Sequence, residues 1–154
     1  MQSKRLARFL MSFAAMLLTA HAAHAQTHVG TVQNLTGMLV SRSADGVSRV
    51  LAVDSQVREG DTLFTERNSY ARVIFKDDAE VTLQPDSVLV VTRYAYDADK
   101  PQQDRVELGL AQGGIQSSAG KLAHRNADAT VINTPMGALK GQATVVVSLT
   151  PPQR

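Results

Sequence analysis

After its first 25 residues, the chain is a succession of short apolar segments that end at turn residues. In residues 70–76, Ala71, Val73 and Phe75 alternate with more polar or exposed positions, which is the period of a strand with one buried face. Further strands are predicted at 32–40, 47–53, 57–64 with a break at Gly60-Asp61, 81–83, 88–94, 106–110, around 115, 129–132 and 144–149. Strands this short and evenly spaced predict a single all-β domain, built as a coiled roll or solenoid of strands or as a sandwich.

Turn residues between these segments predict how the strands connect. Asp45-Gly46 favours a two-residue hairpin in which both turn positions take positive φ. Asp77-Asp78 predicts another turn, and the polar residues 97–104, with Pro101 among them, predict an exposed loop. Helical periodicity is confined to residues 120–129, and this segment is expected to be too polar to pack one face on a core.

The first 25 residues have the three parts of a secretory signal peptide. Lys4, Arg5 and Arg8 precede an apolar run at 9–20, and Ala23-His24-Ala25 follows it, so cleavage is expected between Ala25 and Gln26. The run is shorter than the roughly 20 apolar residues that span a bilayer, which disfavours an uncleaved anchor. We expect a signal peptide at 1–25, a β domain at 26–150 and a short tail at 151–154. The mature protein is expected to be periplasmic, without stable membrane insertion.

Composition narrows the function classes. The chain has 154 residues, enough for one domain, and no Cys, which excludes disulfides and thiolate chemistry. The formal charge of +2 depends on the signal peptide, because the chain without residues 1–25 has 13 Lys and Arg against 14 Asp and Glu. Nucleic-acid binding is therefore not expected. Aromatic residues make up 5% and Trp is absent, which disfavours ligands that are held by ring stacking.

Two clusters could suggest ligand chemistry. Asp77, Asp78 and Glu80 supply the oxygen ligands that calcium prefers, but three acids between two strands are more typical of a solvated hairpin tip. Gly113-Gly114 followed by Gly120-Lys121 is similar to a phosphate-binding loop, but the spacing is one residue too long and Leu122 stands where Ser or Thr is required.

No combination of residues indicates catalysis. His28 and His124 are the two histidines after residue 25, and they are expected to be solvated surface residues without the carboxylate spacing of a zinc site. No Ser lies in a nucleophile-elbow motif. The sequence predicts a protein that is not an enzyme, without cofactor or metal.

Three ordered motifs resemble the FecR-type periplasmic domain. The first is Gly60-Asp61 followed by Leu63 and Thr65; the second is the strand, turn and strand of residues 71–83 with Pro85 and Ser87; the third is Thr134-Pro135 followed by Lys140-Gly141. The likeness extends from residue 26 to 147. The family-motif residues are Gly60, Asp61, Thr65, Pro85, Thr134, Pro135 and Gly141, and their physical character indicates that they shape the fold: Gly60-Asp61 is a turn pair, and Pro135 holds Thr134 out of the helical region.

The resemblance implies a β-rich roll or coil and a periplasmic location. Two positions depart from the family pattern: Gln142 stands where Thr follows the Gly, and Asp78 replaces a turn Gly. FecR-type regulators also have a cytoplasmic anti-sigma segment, a transmembrane helix and a region that senses an outer-membrane transporter. This chain is expected to lack them, so the iron-signalling role is not carried over.

The sequence therefore predicts a stand-alone FecR-like domain that acts as a protein-interaction or sensory module. Its partner is expected to be another periplasmic or membrane protein, which could add an extended segment to an open sheet edge. A cell-wall or glycan-binding accessory protein is the alternative.

Overall fold

The computed structural model describes residues 27–141 and 144–149. Within them the chain forms two β-sheets, one short α-helix and two one-turn 3₁₀ helices, Pro101–Gln103 and Ala127–Ala129. In chain order the elements are β1 (His28–Thr36), β2 (Leu39–Arg42), β3 (Ser48–Leu51), β4 (Gln56–Arg58), β5 (Thr62–Thr65), β6 (Tyr70–Phe75), β7 (Glu80–Leu83), β8 (Val88–Ala95), β9 (Arg105–Gln112), β10 (Gly114–Ser118), α1 (Lys121–Arg125), β11 (Thr130–Thr134), β12 (Gly137–Lys140) and β13 (Val145–Ser148). The predicted all-β class is confirmed.

The strands divide between a six-stranded and a seven-stranded sheet. The order in the six-stranded sheet is β13-β10-β7-β6-β1-β4, and the order in the seven-stranded sheet is β12-β11-β9-β8-β5-β2-β3. Adjacent strands are antiparallel, except that β11 lies parallel to β9. The chain passes from β9 through β10 of the other sheet and α1 before it returns as β11, which is the long connection that a parallel pair needs.

Apolar side chains from the two sheets form one core. In the six-stranded sheet, Ala71, Leu83 and Ile115 lie opposite one another across β6, β7 and β10, and all three are buried. Val91 and Leu108 form the corresponding pair in the seven-stranded sheet. Burying a Val, Leu or Ile side chain contributes about 1.5–3 kcal/mol, so alternation along these strands accounts for the two-layer arrangement.

Three local predictions differ from the structure. The apolar run at 32–40 is not one strand, because the chain turns at Gly37 and passes from one sheet to the other. The hairpin between β2 and β3 has a three-residue loop, closed by Ser43 N–H donating to Val47 O at 2.9 Å. Gly46 has φ +87°, whereas Asp45 is not among the described residues with positive φ; this is the type I turn followed by a left-handed glycine of longer hairpins. The third difference is strand β12, which was not predicted.

Helix α1 contradicts the expectation that residues 120–129 could not pack on a core. Leu122 and Ala123 are buried, although the helix has only five residues. Gly120 makes this possible, because a Cβ there would lie 2.5 Å from Ala79 N and 2.6 Å from Asp77 O. The absence of a side chain lets the start of the helix contact the β6–β7 turn.

Arg125, the last residue of α1, binds both ends of the polar loop between β8 and β9. The Arg125 guanidinium binds the Asp104 carboxylate through Nε at 2.5 Å and Nη2 at 2.6 Å, and Nη2 also donates to the Asp97 carbonyl at 2.6 Å. Its Cζ lies 4.8 Å from the centre of the Tyr96 ring. A bidentate charged pair with a cation–π contact fixes both ends of a loop that has no sheet partner.

In the described part of the chain, none of the helices is long and apolar enough to cross a membrane. The predicted signal peptide, its cleavage site, the tail at 151–154 and Gln142 lie outside the described residues.

Candidate interaction surface

The half-buried Gly60 and the fully buried Asp61 form a corner before β5. Gly60 has φ +84°, which an L-residue adopts only with strain. Its N–H donates to Val91 O at 2.8 Å, and the Asp61 carbonyl accepts from Val91 N–H at 2.9 Å. The fully buried Asp61 carboxylate accepts from Arg58 N–H and from the Arg49 guanidinium, both at 3.0 Å, through Oδ2, while Oδ1 has no hydrogen-bond partner among the described residues. Both residues therefore attach the turn to β8 and β3.

Thr65 and Pro85 belong to a second buried network, at the β7–β8 turn. Thr65 Oγ1 donates to Gln84 O at 2.6 Å and accepts from Ser87 N–H at 3.0 Å. Ser87 Oγ in turn donates to Gly114 O and accepts from Gly114 N–H, both at 2.9 Å. Pro85 lies inside the turn that these hydroxyls enclose. The network connects β5 to β10 and leaves neither hydroxyl available to a ligand.

The turn at Asp77-Asp78 was predicted correctly, but Asp77 is not solvated. Its side chain is buried, and it accepts hydrogen bonds from the Tyr94 hydroxyl and from Leu122 N–H, the latter at 3.2 Å. The Tyr94 ring stacks on Phe75 with 4.5 Å between centroids. Burial, together with the adjacent Asp77 carboxylate, raises the pKa of the Tyr94 phenol well above its ordinary value. Asp77 therefore joins the turn, β8 and α1.

The other two acids of this cluster have separate partners. Asp78 pairs with Lys121 at 2.5 Å, and Glu80 pairs with Arg72 on the adjacent strand. Since the three carboxylates are directed to three different donors, they do not form a calcium site. Asp78 has φ +63°, so it occupies the left-handed conformation for which the family pattern has Gly, and which Asp tolerates better than most residues.

The remaining sequence candidates also have structural positions. Residues 114–118 are strand β10, so the glycines around them do not form a phosphate-binding loop. His124 is exposed as expected. His28 is half-buried: its Nδ1 is buried and has no hydrogen-bond partner among the described residues.

Thr134, Pro135 and Gly141 lie at a different place, on and beside the β11–β12 hairpin. Pro135 and Met136 form its turn, in which Thr134 Oγ1 donates to Gly137 O at 2.8 Å and accepts from Met136 N–H at 3.2 Å. Met136 is 88% exposed, and all four residues of β12 are exposed. β12 is also the last strand of the seven-stranded sheet, so these family-motif residues, unlike Thr65 and Asp61, lie at an accessible edge.

An apolar cleft opens beside this edge, between the two sheets. Its cavity volume is about 50 Å³. It is lined by Phe75 from the six-stranded sheet and by Tyr94, Leu108, Ile132 and Leu139 from the seven-stranded sheet. Leu139 lies opposite Ile132 in the hairpin and contributes the β12 side of the opening. Sequence pattern did not find this strand, since Gly-Ala-Leu-Lys has no β-branched residue and only one large apolar side chain.

Comparison with known proteins gives one family. Residues 61–150 match the family described as FecR protein; six of the seven family-motif residues lie within this range, and Gly60 directly precedes it. A solved structure described as a cell surface anchoring domain is 26% identical over 40% of this chain and 82% of its own, with a TM-score of 0.39. No curated protein matches the sequence.

Proposed function

Because the chain belongs to the FecR protein family, we propose that it is an exported, non-catalytic module that binds a protein partner in the periplasm. The observation that supports this most is the edge formed by β12. Among the described residues no strand pairs with its outer side, and its four residues are exposed. An edge of this kind is a template for an added strand.

The cleft beside the edge defines the chemistry of the partner. Side chains of an added strand alternate between the two faces of the sheet, so every second residue would point toward the apolar opening beside Leu139. The partner segment is therefore extended and has aliphatic or aromatic residues at alternate positions. Backbone hydrogen bonds supply affinity in this mode, and the pocket supplies specificity.

Export is part of the same proposal and has its own test. The intact mass of the protein recovered from the periplasm of an expressing bacterium should correspond to a chain that begins at Gln26. Recovery of a full-length chain in the membrane fraction would contradict the proposed cleavage.

The interaction site is tested by crosslinking in cells, followed by purification and identification of the bound proteins. Leu139→Asp should abolish the recovery of specific partners, because it places a charge at the mouth of the apolar cleft. Tyr70→Asp is the matched control, since Tyr70 is 51% exposed on β6 of the other sheet. Circular dichroism must show the same fold for both variants.

Two results would overturn the proposal. One is equal recovery of partners with Leu139→Asp and wild type. The other is co-sedimentation of the purified protein with protein-free peptidoglycan, which would favour the glycan-binding alternative.

A further inference from the structure

The outer face of the seven-stranded sheet has an apolar row that ends at its second edge, strand β3. Val88, Phe64, Val40 and Val50 lie opposite one another across β8, β5, β2 and β3. On the six-stranded sheet the corresponding outer row contains Arg72, Thr82 and Gln116. The apolar row does not stop before the edge: its last member, Val50, is 72% exposed.

The register of the β2–β3 hairpin shows which backbone groups of β3 face outward. Ser43 and Val47 are a hydrogen-bonded pair, and such pairs alternate with pairs that are not hydrogen-bonded along an antiparallel ladder. Arg49 is therefore bonded to Ser41, whereas Val50 lies opposite Val40 without bonds between them. The N–H and C=O of Val50 point away from the sheet, and no strand among the described residues pairs with that side.

Two features limit pairing at this edge, the short length of β3 and the inward direction of Arg49, but other kinds of protection are missing. Natural edges are commonly protected by an outward Lys, a Pro or a bulge. β3 has none of these, since its charged residue, Arg49, pairs with the buried Asp61 at 3.0 Å. Instead, three exposed valines surround it: Val47 at 55%, Val50 at 72% and Val53 at 50%.

We propose that β3 pairs antiparallel with β3 of a second copy of this chain, about a two-fold axis at Val50. In this register Val50 lies opposite Val50 of the second copy, and the two residues exchange both backbone hydrogen bonds. Position 48 then lies opposite position 52, directly beyond the end of β3, and Val53 lies outside the paired segment, in the turn that Ser55 N–H closes by donating to Ala52 O at 3.1 Å. The apolar row continues across the axis into the same row of the second copy.

Charge selects this register over the neighbouring one. A two-fold axis at Arg49 would also bring outward backbone groups together, but it would place the two Arg49 side chains directly opposite, and like charges in that position are destabilising. With the axis at Val50, Arg49 lies opposite Leu51. The strand has only four residues, so the dimer is a weak, concentration-dependent one, as small interfaces are.

The proposal is independent of the proposed function. β3 precedes the residues that match the family, and it lies at the opposite edge of the sheet from β12. A dimer through β3 therefore leaves the β12 edge and the cleft accessible, and either proposal can fail while the other holds.

Crosslinking tests the register directly, because the chain has no native Cys. Purified Val50→Cys should form a covalent dimer with a short bismaleimide in several-fold higher yield than Tyr70→Cys, because Cβ atoms of directly opposed residues are about 4.5–5.5 Å apart. Equal yields for the two variants would overturn the proposed register.

Sedimentation measures the association without a crosslinker. The mean mass of the wild type should rise with concentration, and Val50→Lys should remain monomeric, whereas Tyr70→Lys should associate like the wild type. Since Val50 is exposed, the Lys variant should keep its fold, which circular dichroism can confirm. A wild-type mass that stays monomeric up to the highest soluble concentration, or a Val50→Lys variant that associates normally, would refute the dimer.

Discussion

Replacing Tyr94 by Phe removes one oxygen atom from the centre of the network that joins the β6–β7 turn to β8 and α1. Phe keeps the ring stacked on Phe75, so packing is nearly unchanged. The lost hydroxyl donates to the buried carboxylate of Asp77. Without it, the one hydrogen bond that Asp77 Oδ1 retains among the described residues is from Ala79 N–H, at 3.3 Å, which is long.

The magnitude follows from the charge and burial of the acceptor. Hydrogen bonds to charged groups contribute about 1.5–3 kcal/mol, and a buried acceptor that loses its donor also incurs a desolvation penalty. We expect Tyr94→Phe to lower the free energy of unfolding by about 2 kcal/mol. Urea unfolding followed by far-UV circular dichroism measures this, and the chain's lack of Trp makes fluorescence a poorer probe. Tyr70→Phe, at an exposed position, should change stability by less than about 0.5 kcal/mol.

The pH dependence of the free energy of unfolding is a second, independent test of the Tyr94 hydrogen bond. The pKa of Tyr94 is raised above its ordinary value of 10.0, so the folded state binds the phenol proton more tightly than the unfolded state. The stability that results from this tighter binding is fully present below pH 10. It is lost as the pH rises further, because the phenol of the unfolded chain then ionises and that of the folded chain does not. Tyr94→Phe has no such proton. The stability difference between wild type and variant should therefore narrow above pH 10, by up to about 1.4 kcal/mol per pH unit.

A double-mutant cycle identifies Asp77 as the partner. Tyr94→Phe should cost at least about 1 kcal/mol less in an Asp77→Asn background than in the wild type, since the acceptor is then uncharged. The reasoning is refuted if Tyr94→Phe costs less than about 0.5 kcal/mol, if the cost is the same in both backgrounds, or if it does not change between pH 9 and 11.

Three further substitutions test how the fold is held together. Gly120→Ala should lower stability by about 2 kcal/mol or more in urea unfolding, because the added Cβ meets Ala79 N at 2.5 Å. Gly109→Ala, whose Cβ meets Val90 at an ordinary 3.6 Å, should have little effect. Equal effects of the two substitutions would contradict the close approach of α1 to the β6–β7 turn. Thr65→Val should cost about 1–3 kcal/mol because it leaves Gln84 O and Ser87 N–H buried without partners, and Thr134→Val on the exposed hairpin should cost clearly less in the same assay; the reverse order would count against the assigned roles. Arg125→Lys should speed proteolysis of the 97–104 loop, since Lys cannot reproduce the bidentate pair with Asp104; unchanged cleavage would show that the loop is held by other contacts.

Strand alternation predicted most of the fold because it is a local signal. Ala71, Val73 and Phe75 are buried as their spacing indicates, and so are Leu108 and Leu110. Leu122 was missed for a physical reason: its burial depends on Gly120 meeting a turn more than 40 residues earlier in the chain, and a five-residue helix is too short to show a helical period.

The candidate site could be predicted only in part, for a similar reason. Asp77 was expected to be solvated because it stands beside other acids, but Tyr94 and Leu122 supply the donors that make its burial favourable. The β12 edge was missed because nothing in Gly-Ala-Leu-Lys distinguishes a strand from a loop. These four residues form a strand because they pair with β11, and that pairing is set by the folded structure.

Among the family-motif residues, Asp61 and Thr65 are buried whereas Pro135 is exposed, and this difference separates what specifies the fold from what could specify a partner. Asp61 and Thr65 satisfy backbone groups of neighbouring strands, so their identities follow from the fold whatever the protein binds. Pro135 and its neighbour Met136 form an exposed turn, and packing does not require a large apolar side chain that is 88% exposed. A match to the family pattern at the buried positions therefore identifies the architecture, and function is determined by the site built on it. Under the proposed function, partner choice therefore depends on the exposed residues of the β11–β12 hairpin and on the side chains that line the cleft beside it.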